Sequence, residues 1–294
     1  MKIIVPATSA NMGPGFDTLG IALNLKNEAI INRAKFTSIS IKGSGENIKK
    51  LKKDNLFVRI FNETYLALCG KEDNFRFQFN NNIPISRGLG SSSAVITGAI
   101  TGAYAMAEKP INKRDILNLA FKYELHPDNI TPAIVGGFTV SLEKYNKVFY
   151  KKAHIPDDVQ AVVVIPPNPM STKRARTVLP KRYLKQDAVY NIARSSLMTA
   201  AFFSKDWGLL KLAAEDRIHQ TYRMKIFPEL FEVQKAAIAE GVLMSTLSGS
   251  GSTFFNIVYK NDAKRVQQKL QDKFPHFEVK LLTFNNTGVE VVSE

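Results

Sequence analysis

Phe75, Phe77 and Phe79 alternate with Arg76 and Gln78, a period of two that predicts a strand with one buried face. Upstream, Phe57, Ile60, Phe61, Tyr65 and Leu68 recur at helical spacing, with Asp54 as candidate N-cap and Gly70 as the stop. Downstream, Pro84 opens a glycine-rich turn, and residues 91–107 read as a helix built from small side chains. Asn112, with Asp115 three residues on, predicts the cap of a further helix carrying Ile116, Leu119, Phe121 and Leu125. From Val159 the pattern changes. VQAVVVI (159–165) predicts a buried strand, and helical segments fill roughly 181–241, the last with Pro228 in its first turn and Gly241 at its end. VLMST, TFFNIVYK, a helix capped by Asn261, and FEVKLLTF follow. In order, this half is a β-α-β-β-α-β arrangement with extra helices, the ferredoxin-like plan. Single cores stop growing near ~250–300 residues, so a chain of 294 residues has room for two lobes, 1–155 and 156–294.

Composition narrows the class. Residues 88–107 carry no charge and contain Gly98 and Gly102 in a GxxxG pattern. Serines, threonines and glycines dilute the stretch, so it predicts a buried, closely packed helix and no membrane partner. The N-terminus lacks the ~7–15-residue apolar run of a secretory signal. Cys69 is the only cysteine, which excludes an intrachain disulfide and a multi-cysteine zinc site and suits a reducing cytoplasm. The net charge is +14, compatible with nucleic acid, with anionic small molecules, or with a solvated surface. Lys49, Lys50, Lys52 and Lys53 form one basic group; Lys173, Arg174, Arg176, Lys181, Arg182 and Lys185 form another. Neither is interleaved with stacking aromatics, and no nucleic-acid motif is present, so no specific nucleic-acid partner is expected.

The candidate chemistry starts at PISRGLGSSSA (84–94), between a predicted strand and a predicted helix. Gly88 and Gly90 let the backbone turn tightly and approach a phosphate closely. The free N–H groups opening the helix then face the anion, assisted by the helix dipole. Ser91, Ser92 and Ser93 add hydroxyls for phosphate oxygens or Mg²⁺. No Walker-type Gly-Lys-Ser or Gly-Lys-Thr occurs in the chain.

Two further segments, PATSANMGPGFDTLG (6–20) and LSGSGST (247–253), complete a set of three that resembles, in order and spacing along nearly the whole chain, the motifs of the GHMP kinase family. Within it, PATSANMGPGFD, HPDNITPAIVGGF (126–138), MSTKRARTVLP (170–180) and RIHQTYR (217–223) are most similar to the homoserine kinase subgroup. Departures are Leu125 for a glycine, Thr221 for a proline and Ser252 for a proline. Only Leu125 touches the expected substrate pocket. The resemblance implies an α+β, two-lobe fold: an N-terminal β/α lobe with the glycine-rich phosphate loop, a C-terminal ferredoxin-like lobe, and ATP and substrate between them. It implies that Pro84, Ile85, Ser86, Arg87, Gly88, Leu89, Gly90, Ser91, Ser92, Ser93 and Ala94 wrap the phosphates, and that Ser92 and Glu124 complete a Mg²⁺ shell. Asn11, Asp17, His126, Arg176 and Arg223 would line the pocket for L-homoserine, with Asn129 near the reacting phosphate. The implied reaction makes ADP and O-phospho-L-homoserine, a step toward threonine.

The residue types suit that task. Guanidinium forks at Arg176 and Arg223 match a carboxylate, while Asp17 and Asn11 match an ammonium or a hydroxyl. Phosphoryl transfer depends on positioning and charge neutralisation, so no strong base is required, although Asp17 is placed to accept the hydroxyl proton. Each residue also has a plain reading. Asp17 is then a turn acid, Glu124 a helix end, His126 a loop histidine, and Arg176 and Arg223 surface charges; Asn129 braces its own turn. His154, His219 and His276 read only as satisfied histidines. A kinase for mevalonate, threonine or a sugar, or a non-catalytic RNA-associated binder of the same fold, are the alternatives. A homodimer is compatible with all of these.

Overall fold

The computed structural model describes residues 1–293. Strands β1 (Lys2–Ala10), β2 (Leu19–Arg33), β3 (Ser38–Gly43) and β4 (Phe75–Asn81) build the first sheet, with helices α1 (Lys49–Lys53) and α2 (Leu56–Cys69) between β3 and β4. Helices α3 (Ser91–Met106), α4 (Lys113–Phe121) and α5 (Pro127–Val135) follow, then the hairpin β5 (Phe138–Lys144) and β6 (Lys147–Ala153). Alternation in β4 puts all three phenylalanines on the buried face, where Phe57, Phe61 and Tyr65 of α2 meet them edge-on. The small residues of α3 let it lie close beneath: a side chain on Gly98 or Gly102 would press on Phe57 or Ile31. Among the described residues no helix is long and apolar enough to cross a membrane.

The second half opens with β7 (Val159–Ile165) and helices α6 (Thr172–Thr177), α7 (Lys185–Ser204), α8 (Leu210–Ala213), α9 (Gln220–Met224) and α10 (Glu229–Ala239). Strands β8 (Met244–Leu247) and β9 (Phe254–Tyr259), helix α11 (Ala263–Lys273), β10 (Glu278–Leu282) and β11 (Glu290–Val292) end the chain. The second sheet has the order β10-β7-β9-β8, antiparallel throughout, which agrees with the ferredoxin-like plan expected from the succession of elements. One core is continuous between the halves: Phe202 of α7 stacks on Phe138 of β5 at 4.0 Å between ring centroids.

Several local expectations change. The cap of α2 is Asn55, whose side chain accepts from the N–H groups of Phe57 and Val58, and not Asp54. Asp262 stands at the start of α11, where Asn261 was expected. Helix α4 stops at Phe121, so Leu125 lies beyond it, 69% exposed. The tail also crosses back: β11 pairs antiparallel with β1, Lys2 opposite Val292. Residues 290–292 therefore belong to the first sheet, because β1 has an open edge that a strand as short as EVV can satisfy.

Candidate active site

Five connections converge between the sheets: those after β1, before α3, before α5, before α6, and between β8 and β9. The third motif holds the first two together. Ser248 Oγ donates to the Gly88 carbonyl at 2.6 Å and also bonds Ser9 Oγ at 2.8 Å. Gly249 N–H donates to Ala10 O, and Thr253 N–H to Arg87 O. Ser252 donates to Asn168 O at 2.7 Å, so the residue that departs from the motif still fastens the loop.

The glycine turn has the expected form. Gly88 and Gly90 have φ of 77° and 69°, left-handed values that strain any residue with a side chain. A Cβ on Gly90 would lie 1.9 Å from Thr8 Oγ1, and one on Gly88 2.2 Å from Ser248 O. Gly90 leads directly into α3, whose first residues are the three serines. A cavity of about 340 Å³ runs along this turn. Ile85, Ser86, Arg87, Gly88, Gly90, Ser91, Ser92, Ser93 and Ala94 line it. Pro84 and Leu89 do not, and Leu89 points into the core. One end is apolar, formed by Ile41, Leu51, Leu56, Phe57, Phe79 and Val95; the other is polar and highly charged.

At the polar end the expected residues do meet. Asp17 places both carboxylate oxygens in the fork of Arg176, at 2.7 and 3.2 Å, and lies 3.7 Å from His126 Nε2. The pairing spans 159 residues of sequence. Asn11 is buried; its carboxamide accepts from Asp17 N–H and donates to Gly249 O, so it holds the loop that carries Asp17. Arg223 is almost wholly buried and donates to Ala175 O and Gly249 O. Burial, then the neighbouring Arg176, lowers its pKa to about 10. Both guanidiniums lie near the Phe16 ring, Arg176 at 5.4 Å and Arg223 at 5.1 Å from its centroid. His219 is buried and satisfied, bonding Gly13 O at 2.7 Å and Arg223 Nη1 at 3.3 Å.

Glu124 accepts from Ser93 Oγ at 2.7 Å. Burial pushes its carboxyl above the usual range, opposed by that hydroxyl and by Arg176. Ser92 lines the cavity alongside, but the serine bonded to Glu124 is Ser93. Asn129 accepts from Thr8 Oγ1 at 2.7 Å and faces the cavity.

Asp128 was missed in the sequence. It lines the cavity, is 3% exposed, and has an oxygen, Oδ1, with no hydrogen-bond partner among the described residues. Burial first, then the charges of Asp17 and Glu124, push its pKa up to about 8. An acid in the first turn of a helix ordinarily serves the helix dipole, which hid it in HPDN. The geometry thus offers a glycine cradle for phosphates, a carboxylate–hydroxyl pair for a hard cation, and beyond them two guanidiniums facing two carboxylates.

Such a fold and site define a phosphotransferase acting on a small charged molecule. Sequence models of the GHMP kinase N-terminal and C-terminal domains match residues 55–137 and 198–276, and the chain belongs to the GHMP kinase family. It is 60% identical over 289 residues to homoserine kinase of Wolinella succinogenes and 57% identical over 289 residues to that of Sulfurovum sp., each alignment covering 98% of this chain and 99% of the other. The crystal structure of homoserine kinase from Cytophaga hutchinsonii superposes with a TM-score of 0.88 at 26% identity, covering 99% of this chain and 97% of that one. A mevalonate kinase structure shares the fold at TM-score 0.71 and 15% identity, covering 97% of this chain and 99% of that one.

Proposed function

We infer that this protein transfers the terminal phosphate of ATP to the hydroxyl of L-homoserine. The observation that carries the substrate is the matched pair of opposite charges at the polar end of the cavity. An α-amino acid brings a carboxylate and an ammonium; Arg176 and Arg223 suit the first, Asp17 and Asp128 the second. Mevalonate and sugars have no ammonium to offer the buried Asp128 carboxyl, whose Oδ1 has no partner among the described residues. The relatives named homoserine kinase support the same choice.

The backbone at Gly88 and Gly90 and the start of α3 hold the phosphates, and the apolar end of the cavity receives the base. Among the described residues no three His, Cys, Asp or Glu side chains gather to hold a metal. Mg²⁺ fits nonetheless, because it binds one or two protein oxygens together with substrate phosphates; Glu124 and the Ser92–Ser93 hydroxyls are that donor set. Bound there, Mg²⁺ would neutralise charge on the phosphates. The hydroxyl oxygen of homoserine bonds to the γ-phosphorus as the bond to the β–γ bridging oxygen breaks, and ADP departs with that oxygen. The hydroxyl proton leaves on the transferred phosphoryl group, since phosphoryl transfer through a loose transition state requires no strong base. Asn129, with its oxygen bonded to Thr8, turns its NH₂ to the reacting phosphate. The single thiol suits the reducing cytoplasm.

ADP release measured side by side with homoserine, threonine, mevalonate and galactose tests the assignment, with turnover expected for homoserine well above the others. In the same assay Arg176→Lys, which keeps the charge but loses the fork, is expected to raise the homoserine KM about tenfold and leave the ATP KM within about twofold. Equal turnover of mevalonate, or an unchanged homoserine KM, would overturn it.

A further inference from the structure

Thr8 sits at the centre of the site without touching the cavity. It is on β1, fully buried, and pairs with Ala22 of β2. Its backbone N–H donates to the carbonyl of Leu89, inside the phosphate loop, at 3.1 Å. Its hydroxyl donates to Asn129 Oδ1 at 2.7 Å. The absent side chain of Gly90 leaves the space this hydroxyl occupies, since a Cβ there would come within 1.9 Å of Thr8 Oγ1. One residue is therefore tied at one end to the loop that carries the phosphates and at the other to the carboxamide that faces them.

A carboxamide can present either its oxygen or its NH₂ to the cavity, and the two choices have opposite effects on an anion. An oxygen turned toward a phosphoryl group repels it, whereas an NH₂ donates to it. With Oδ1 engaged by Thr8, only the donor end remains for the cavity. The β-branched side chain of Thr8 is stiff at χ1, and the strand and the Leu89 contact fix its backbone. The hydroxyl thus sets the distance and the direction of the amide together.

We propose that Thr8 is a positioning residue for phosphoryl transfer, registering the Asn129 NH₂ against the phosphate loop through its hydroxyl. This rests on the role given to Asn129 above. Misplacement of a donor by a fraction of an ångström acts on the transition state more than on bound substrate. The loss therefore falls on kcat.

The test uses the full chain with Thr8→Val, which exchanges hydroxyl for methyl at nearly constant shape, Thr8→Ser, which keeps the hydroxyl, Asn129→Ala, and the Thr8→Val/Asn129→Ala pair. Thr8→Val is expected to lower kcat at least tenfold with both KM values within about threefold, and Thr8→Ser to keep at least a third of the wild-type kcat. The double variant is expected to match Asn129→Ala within about twofold, because the hydroxyl has nothing left to position. If valine does not fold, Thr8→Cys, with its weak thiol donor, takes its place under the same criteria. A crippled Asn129→Ala beside a Thr8→Val that keeps more than half its kcat would overturn the proposal alone. So would full additivity in the double variant, or a Thr8→Ser as slow as Thr8→Val. A near-normal Asn129→Ala would overturn both the proposal and the role of Asn129.

Discussion

If Asp128 receives the ammonium of homoserine, binding must expel a proton. In the free protein its pKa is about 8, so at pH 7 the carboxyl is protonated in roughly nine molecules of ten. An ammonium at the partnerless Oδ1 favours the charged form and pulls the pKa well below 7. Homoserine binding at pH 7 is then expected to release most of one proton, at a cost on the order of 1 kcal/mol in affinity. The apparent Kd should tighten about tenfold from pH 6 to 7 and by somewhat less from 7 to 8, then flatten. Titration calorimetry in buffers of different ionisation enthalpy counts the protons directly. Asp128→Asn should abolish both the release and the pH slope while weakening homoserine binding. The sign for stability is opposite. The unfolded aspartate ionises in the usual carboxylate range, whereas the folded one keeps its proton until about pH 8. Between those values the native state holds more protons, so stability is lost as pH rises toward 8. Asp128→Asn should accordingly raise the thermal midpoint of the ligand-free protein at pH 7, by up to ~4 kcal/mol in free energy, and lose the advantage near pH 4. A wild-type protein that binds homoserine at pH 7 with no proton exchange, and equally well at pH 6 and 8, would refute the argument.

Two further outcomes are expected. Glu124→Gln keeps the shape but removes the anionic oxygen beside Ser93, and should lower turnover at least ~10²-fold at limiting Mg²⁺ with the thermal midpoint little changed, as steady-state kinetics and calorimetry would show. Gly90→Ala places a methyl against Thr8 Oγ1 at a φ of 69°, and should both weaken ATP binding at least tenfold in calorimetric titration and lower the midpoint by several degrees.

Much of the architecture was legible because the signals are local. Alternation at Phe75–Phe79, the helical stripe from Phe57 and the strand–helix order after Val159 are properties of neighbouring residues, and β4, α2 and the second sheet follow them. Two of the left-handed positions of the phosphate turn were equally readable, since Gly88 and Gly90 stand where no other residue fits. The motifs named the polar partners but not their geometry. The sequence by itself determined the elements, the glycine turn and the kind of chemistry. Only the tertiary structure decided that Asp17 faces Arg176 instead of standing free, that Asn11 braces a loop, that Arg223 is buried, and that Asp128 Oδ1 has no partner among the described residues. Burial and pairing are sums over segments far apart in the chain, whereas periodicity is a sum over adjacent residues. A carboxylate next to an expected site residue looks like any helix-start acid until the surrounding elements remove its water.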